Sequence, residues 1–512
     1  MKYRIIGIGM MIVVIVCALS ASMIERNSDV NRYHQHLMAK QPENECDCDG
    51  SELCTHLPII RIDTGGQDIP GKPITDKNGS LISYSTTEEG ESEIIVTIDT
   101  IEEEGKWHHA SDPADQSSCA FFRIRGNSSR FFDKSNYRIK LVADESGEKN
   151  TSLPLLGMNA ENDWALHGPF LDKTLIRNYM LMNISAEIMG YAPEVRFCEL
   201  ILDGEYQGVY VLMETIKEGE NRVNISDYED GSVATSYLLR MDGISFDESL
   251  VETDISLYNY TWYTEQMEFN ENQKAGFQIL YPQTEVLTEE VIDYIQRDIS
   301  RIERGLYSSD MLSGKFDYEK EIDVNSFVDY YILQEFLAVN DAFSRSTYFY
   351  KDVRGKLHIG PVWDYNNAIN NFFRQFSHSG FLLANRSWLG RLMTDEDFVE
   401  KVIVRYHQLR EGMLSDEYLL NYIDETIAYL GDAIERNDEV WGYSYNVELL
   451  SENARRIPDE GETLEDVNPS SYEEAVGWMK GYMLARSEWL DENIENLRQY
   501  CHRSKTTSQR VE

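Results

Sequence analysis

Positive charge is what this chain has least of: 47 Lys and Arg stand against 89 Asp and Glu, for a formal net charge of -42. A protein that tracks phosphates needs a basic face, so DNA, RNA and anionic membrane surfaces are poor non-specific partners. Any nucleotide site has to supply its own local Lys or Arg and recruit divalent cations. Cysteine is sparse as well. Seven in 512 residues make no disulfide scaffold, although an exported domain permits disulfides. There is no internal repeat. What the chain does have is a globular composition, 42% hydrophobic and 11% aromatic, with length enough for about two to four domains' worth of core.

The N-terminus carries Lys2 and Arg4, then the uncharged run 5–22, then Glu25 and Arg26. This predicts an export signal, with the chain beyond Met23 on the far side of a membrane. The run is near the lower limit for a spanning helix, and Ala18, Ser20, Ala21 and Ser22 suit a signal peptidase. Anchor and cleaved signal both stay open, and the expected location is extracytoplasmic, membrane-anchored or secreted. Residues 24–55 are polar without a period and read as a stalk. Cys46, Cys48 and Cys54 cluster there in NECDCDGSELC. Zinc would need a fourth ligand, and the histidine close behind is His56, so a disulfide or an unpaired cysteine is the preferred reading.

From residue 57 short strand-like runs follow one another (PIIRID, LISYST, EIIVTID, FFRIR, NYRIKL), then a helical pattern over 171–189 with Asp172 as its cap and Gly190 as its end. VRFCELIL, Asp203-Gly204 and YQGVYVLME read as a tight hairpin. Helical spacing then covers 291–306, 324–338, 397–413, 417–435 and 472–497. Strands first and helices later predict an α+β protein of two lobes with a cleft between them. On the helical side, 346–351 and 357–363 predict a hairpin with its turn at Arg354 and Gly355, which brings Asp341 and Asp364 to one end. Two acids held that way can divide labour, one positioning a nucleophile and one carrying a metal ion. Aspartates in turns around a buried hairpin are the bland alternative.

Four ordered blocks carry a resemblance: RGNSSRFFDKSNYRIKL (125–141), DWALHGPFLDKTLIRNYM (163–180), ELILDGEYQGVYVLMETIK (199–217) and GPVWDYNNAINN (360–371). Together they resemble the spore coat protein H (CotH) kinase family, over residues 57–371 and with later helices consistent with it. The resemblance implies an atypical protein-kinase-like fold, β-rich at its N-terminus and helical at its C-terminus, with the kinase-like domain spanning 116–500. A β-rich segment 56–115 precedes that domain and a polar tail 501–512 follows it. It also implies ATP as phosphate donor, Mg²⁺ or Mn²⁺, and Ser or Thr of a surface or secreted protein as acceptor. Asp341 then matches the catalytic aspartate and Asp364 the metal-binding one, in WDYN where many members have WDFD. Asn366 replaces the second acid of that pair, and Ser346 stands where relatives often carry Asn; both are candidate oxygen ligands.

On the nucleotide side, Lys140 at the end of NYRIKL is the candidate phosphate-neutralising lysine, with Glu187 on the next helix as its partner by analogy to protein kinases. Arg125, followed by Gly126, Asn127, Ser128 and Ser129, forms a polar turn able to present backbone N–H groups to phosphates, though it is no G-x-G-x-x-G loop. Glu214 ends a strand where the chain would pass between lobes, with Met213 and Leu212 as candidate adenine contacts. Two functions are compatible with these residues: an exported protein kinase, and a non-catalytic scaffold of the same fold in a coat or envelope.

Overall fold

The computed structural model describes residues 32–243, 254–255 and 275–502. The expected signal or anchor over 1–23 and tail residues 503–512 lie outside the described residues. Among those described, no helix is long and apolar enough to cross a membrane. The architecture is α+β, rich in strands in its N-terminal half and helical in its C-terminal half.

The strands in chain order are β1 (Cys54–Thr55), β2 (Ile59–Asp63), β3 (Pro73–Thr75), β4 (Leu81–Tyr84), β5 (Ile94–Ile101), β6 (His108–His109), β7 (Gln116–Ile124) and β8 (Tyr137–Val142). They continue with β9 (Asp163–His167), β10 (Val195–Leu202), β11 (Glu205–Glu214), β12 (Tyr237–Gly243), β13 (Asp254–Ile255), β14 (Ala275–Tyr281), β15 (Thr347–Lys351) and β16 (His358–Ile359). A closed barrel runs β10-β11-β9-β8-β7-β5-β2, and β2 returns to pair with β10 in parallel, Glu199 opposite Ile59. Strands from both sides of residue 115 therefore share one barrel. Alternation fills it: Tyr137, Ile139 and Leu141 of β8 point inward beside Phe122, Trp164 and Leu212, as the period of two requires. The Asp203-Gly204 turn is as expected, both residues at positive φ (51° and 82°) and Leu202 facing Glu205. A second sheet, β13-β14-β12-β15-β16, holds the later hairpin.

The helices are α1 (Gln35–Met38), α2 (Arg177–Met189), α3 (Glu289–Tyr307), α4 (Val324–Phe336), α5 (Glu396–Arg410), α6 (Asp416–Leu430) and α7 (Tyr472–Asn493), with shorter ones between. Helix α3 shows why periodicity works. Val291, Ile295, Ile299, Ile302 and Leu306 form one buried stripe, and Thr288 caps the start by accepting the Val291 N–H. Each buried aliphatic chain of that stripe contributes about 1.5–3 kcal/mol. Helix α2 begins later than the pattern suggested. Asp172 does not sit at its cap; its carboxylate accepts the N–H groups of Thr174 and Arg177 and pairs with the Arg177 guanidinium, folding 172–176 into a turn with Leu175 at φ 66°. The pattern over 417–435 breaks at Gly431, where φ is 48°.

Residues 32–39 fall within the expected stalk, yet they pack as an arm across α2. Arg32 is buried and donates to Asn183 Oδ1 (3.1 Å) and to the carbonyls of Ala192 (2.7 Å) and Pro193 (2.5 Å). Gln35 exchanges hydrogen bonds with the Phe197 backbone at 2.7 and 3.1 Å. These polar groups lose water but regain partners, the condition for burying them.

Candidate active site

Helix α4 ends at Phe336, and Ala338, whose φ is 51°, then turns the chain sharply. The following turn is locked from inside: the Asp341 carbonyl accepts the N–H groups of Ser344 (3.0 Å) and Arg345 (2.9 Å), and Arg386 donates to the carbonyls of Asn340 and Ala342. Phe343 and Ser346 also sit at positive φ, 57° and 48°. The hairpin then pairs Phe349 with Ile359 and Tyr350 with His358; its returning strand is shorter than expected, and the chain reaches Asp364 with φ 62° and ψ 68°. Non-glycine residues in the left-handed region cost about 1–3 kcal/mol each, and such strain concentrates at functional sites. Asp341, Ser346 and Asp364 border one small cavity, so the hairpin does bring the two acids together.

Asp364 also borders a second, larger and more open cleft. Arg125, Gly126, His167, Asp172, Met213 and Trp363 are among the residues that line it. The Arg125 guanidinium lies over the Trp363 ring, 5.3 Å from its centroid, a cation–π arrangement that costs the cation little freedom. Among the described residues it has no carboxylate within 4.0 Å. Gly126, at φ 108°, leaves no room for a side chain, since a Cβ would meet Ser129 Oγ at 2.0 Å. Burial holds the His167 imidazole neutral, its pKa brought down to about 3. Asp364 is pushed the other way, to about 6, by burial first and by the Asp341 charge second, with Arg125 opposing both.

An amide relay fixes this end of the site. Asn178 on α2 accepts the Tyr365 N–H (2.9 Å) and donates to Asn366 Oδ1 (2.6 Å), so Asn366 presents its NH₂ to Asp364 Oδ1 (2.8 Å). Asn366 therefore acts as a donor to the carboxylate, and its oxygen, expected as a ligand, is engaged by Asn178. Asn367 donates to Asp341 Oδ2 at 2.9 Å. Sequence reasoning missed Asn367, although it stands in the amide-rich NNAINN run.

The other expected nucleotide contacts are elsewhere. Lys140 on β8 shares the outer face with Arg138, which pairs with Asp163, while Ile139 and Leu141 take the interior; Lys140 does not line the cleft. Glu187 Oε1 lies 2.7 Å from His34 Nε2 of the arm and accepts its N–H, so no Lys140–Glu187 pair forms; α2 packs on β10 instead of β8. Glu214 is a buried structural acid, paired with Arg222 and accepting the Glu194 N–H at 2.9 Å. Of its neighbours, Met213 lines the cleft and Leu212 fills the barrel.

In comparisons with known proteins, the family model described as CotH kinase protein matches residues 122–490. No curated protein matches the chain.

Proposed function

We propose that this chain, which belongs to the CotH kinase family, is an extracytoplasmic atypical protein kinase, anchored or secreted, that transfers the ATP γ-phosphoryl group to a Ser or Thr hydroxyl of a surface or secreted protein. The observation that carries this reading is the convergence of Asp341 and Asp364 on one cavity, with Asp364 also facing the cleft that Arg125 lines. The barrel and the helical half would then serve as the two lobes.

The donors at this point are oxygens: the Asp364 and Asp341 carboxylates and the Ser346 hydroxyl. That set fits Mg²⁺ or Mn²⁺, and two mutually repelling carboxylates are what a divalent cation relieves. Asp364 would hold it, and when bound it supplies charge neutralisation on the β- and γ-phosphates. Arg125, stacked on Trp363, faces the phosphates in the role expected of Lys140. Asp341, oriented by Asn367, receives the acceptor hydroxyl's proton as its oxygen bonds to the γ-phosphorus. The bond from that phosphorus to the β–γ bridging oxygen breaks, and ADP leaves.

Incubation of the full chain with γ-labelled ATP and Mn²⁺, beside Asp364→Ala and Asp341→Ala, tests this. Label on the protein or on a generic acceptor should vanish in the first variant and fall steeply in the second. Equal labelling in all three would refute the site. Asn366, an amide donor where the family often has an acid, favours a second reading, a non-catalytic scaffold of the same fold. A scaffold shows no thermal shift with ATP and Mn²⁺, whereas a nucleotide binder is stabilised as ligand exceeds its dissociation constant.

A further inference from the structure

Far along the chain from the acids, three cysteines and one histidine converge. The Sγ atoms of Cys46, Cys48 and Cys54 and a ring nitrogen of His109 all lie within 4.8 Å of one another. Cys46 Sγ is 3.3 Å from His109 Nε2. Around a tetrahedral Zn²⁺ with Zn–S about 2.3 Å and Zn–N about 2.0 Å, donor atoms are separated by roughly 3.5–3.8 Å. The four atoms are therefore close enough together for one such ion to reach all of them after small side-chain adjustments. We propose that Cys46, Cys48, Cys54 and His109 bind one divalent ion of the zinc class in a closed, structural site.

Strand pairing builds half of it. β1 and β6 form a two-stranded antiparallel ribbon in which Cys54 lies directly opposite His109 and Thr55 opposite His108. Directly opposed residues share a face, so the ribbon delivers one sulfur and one imidazole side by side. The neighbouring His108 is turned away and buried, its ring nitrogens 2.8 Å from the Leu57 carbonyl and 3.1 Å from that of Glu103. The other two sulfurs come from the Cys-x-Cys loop ahead of β1. That loop is tied to the residue preceding β6 by the Trp107 indole, which donates to the Asn44 carbonyl at 2.7 Å, and is turned locally by Asp49, which accepts the Ser51 N–H at 2.9 Å.

His109 has the orientation that a ligand needs. Asp112 Oδ2 accepts the His109 backbone N–H at 2.8 Å and stands 3.4 Å from ring Nδ1. A carboxylate on Nδ1 keeps the proton there and leaves the Nε2 lone pair free to bind, and Nε2 is the atom beside Cys46. His56, the fourth ligand that proximity in sequence suggested, is elsewhere: its Nε2 lies 2.7 Å from the Tyr429 carbonyl. The donor set is soft, three thiolates and one imidazole, which selects Zn²⁺ over Mg²⁺ or Ca²⁺. Four protein ligands leave no open position, so the role is structural. A disulfide would use two of the sulfurs and leave the third with His109.

The site shares no residue with the cleft. What it joins is the segment leading from the arm to the ribbon beside the barrel. Residues 32–39 are fixed at one end by Arg32 and Gln35, and the metal would fasten the other end, near residue 54.

Zinc analysis of the full chain, purified under reducing conditions without chelator, should give a stoichiometry near one. Cobalt substitution should give the intense visible bands of tetrahedral coordination with sulfur-to-cobalt charge transfer. Cys48→Ser should lower zinc affinity sharply, and Asp112→Asn by roughly 10- to 100-fold; Cys119→Ser, outside the cluster, should leave it unchanged. Far-UV circular dichroism of each variant separates ligand loss from unfolding, and Cys48 is exposed, so its replacement should leave the fold intact. Chelation should open the segment 40–56 to protease. The proposal is overturned if the reduced, folded chain retains no zinc and gives no charge-transfer band with cobalt. It is equally overturned if mass mapping of the unreduced protein finds two of the three cysteines in a disulfide.

Discussion

Asn367 donates its side-chain amide to Asp341 Oδ2 across 2.9 Å, and that contact fixes the orientation of a carboxylate that borders the cavity. If Asp341 is the group that positions the acceptor hydroxyl, Asn367→Ala should lower kcat roughly tenfold or more, the scale of a hydrogen bond to a charged group, with KM for ATP unchanged. Steady-state kinetics at varied ATP decide it. A rise in KM alone would place Asn367 on the nucleotide side instead.

Arg125 and Lys140 compete for one role and can be separated. Arg125→Gln should weaken ATP binding by roughly 10- to 100-fold, since a charge-assisted phosphate contact contributes about 1.5–3 kcal/mol. Lys140→Gln, on the outer face of the barrel, should change it by less than about 0.5 kcal/mol. Isothermal titration with ATP and Mn²⁺ reads both. A larger loss at Lys140 would mean that the nucleotide lies elsewhere.

Glu303 gives the fold a pH dependence unrelated to the cleft. It is buried on α3, accepts the Trp388 indole N–H at 3.0 Å, and burial raises its pKa to about 7 against that hydrogen bond. The folded state thus holds the proton to higher pH than the unfolded chain, whose carboxyl titrates near 4.5. Stability is fully present below about 4.5 and declines as pH rises through 7. Glu303→Gln should remove that decline and be more stable than the parent at pH 8 by on the order of 1–3 kcal/mol. Urea unfolding at pH 5 and pH 8 measures it; a variant less stable at both would refute the assignment.

A buried ion pair pins α7 to the loop after the site. Arg486 pairs with Glu335 at 2.5 Å and also donates to the carbonyls of His378 (2.8 Å) and Gly380 (2.7 Å), while Glu335 accepts the N–H groups of Leu382 and Leu383. Glu335→Ala leaves the guanidinium buried and uncompensated, and should cost about 3–5 kcal/mol. Arg486→Met in that background should recover part of the loss, as chemical denaturation of both variants would show.

Where burial follows a period, the fold was legible from the chain. Helix α3 ends within two residues of its expected bounds because Val291 to Leu306 repeat on one face, and the Asp203-Gly204 turn follows from two residues that tolerate positive φ. The hairpin likewise foretold that Asp341 and Asp364 share an end. Partners chosen in three dimensions were not legible. Glu187 was assigned to Lys140 by analogy with another fold, whereas the polar arm, which has no period to betray it, brings His34 there. Glu214 looked like a strand-ending acid, and its partner Arg222 lies in an irregular segment. His109 reaches Cys54 only because two-residue strands happen to pair, and strands that short leave almost no pattern in composition.

The barrel's closure bears on how any acceptor protein is held. Once β2 pairs with β10, every strand of that sheet has neighbours on both sides, and among the described residues the barrel has no edge strand for a visiting chain to extend. An acceptor segment cannot be gripped there by main-chain strand addition, the mode that tolerates almost any sequence. Selectivity at the barrel has to come from side chains and loops, so it can change by point substitution without disturbing the sheet.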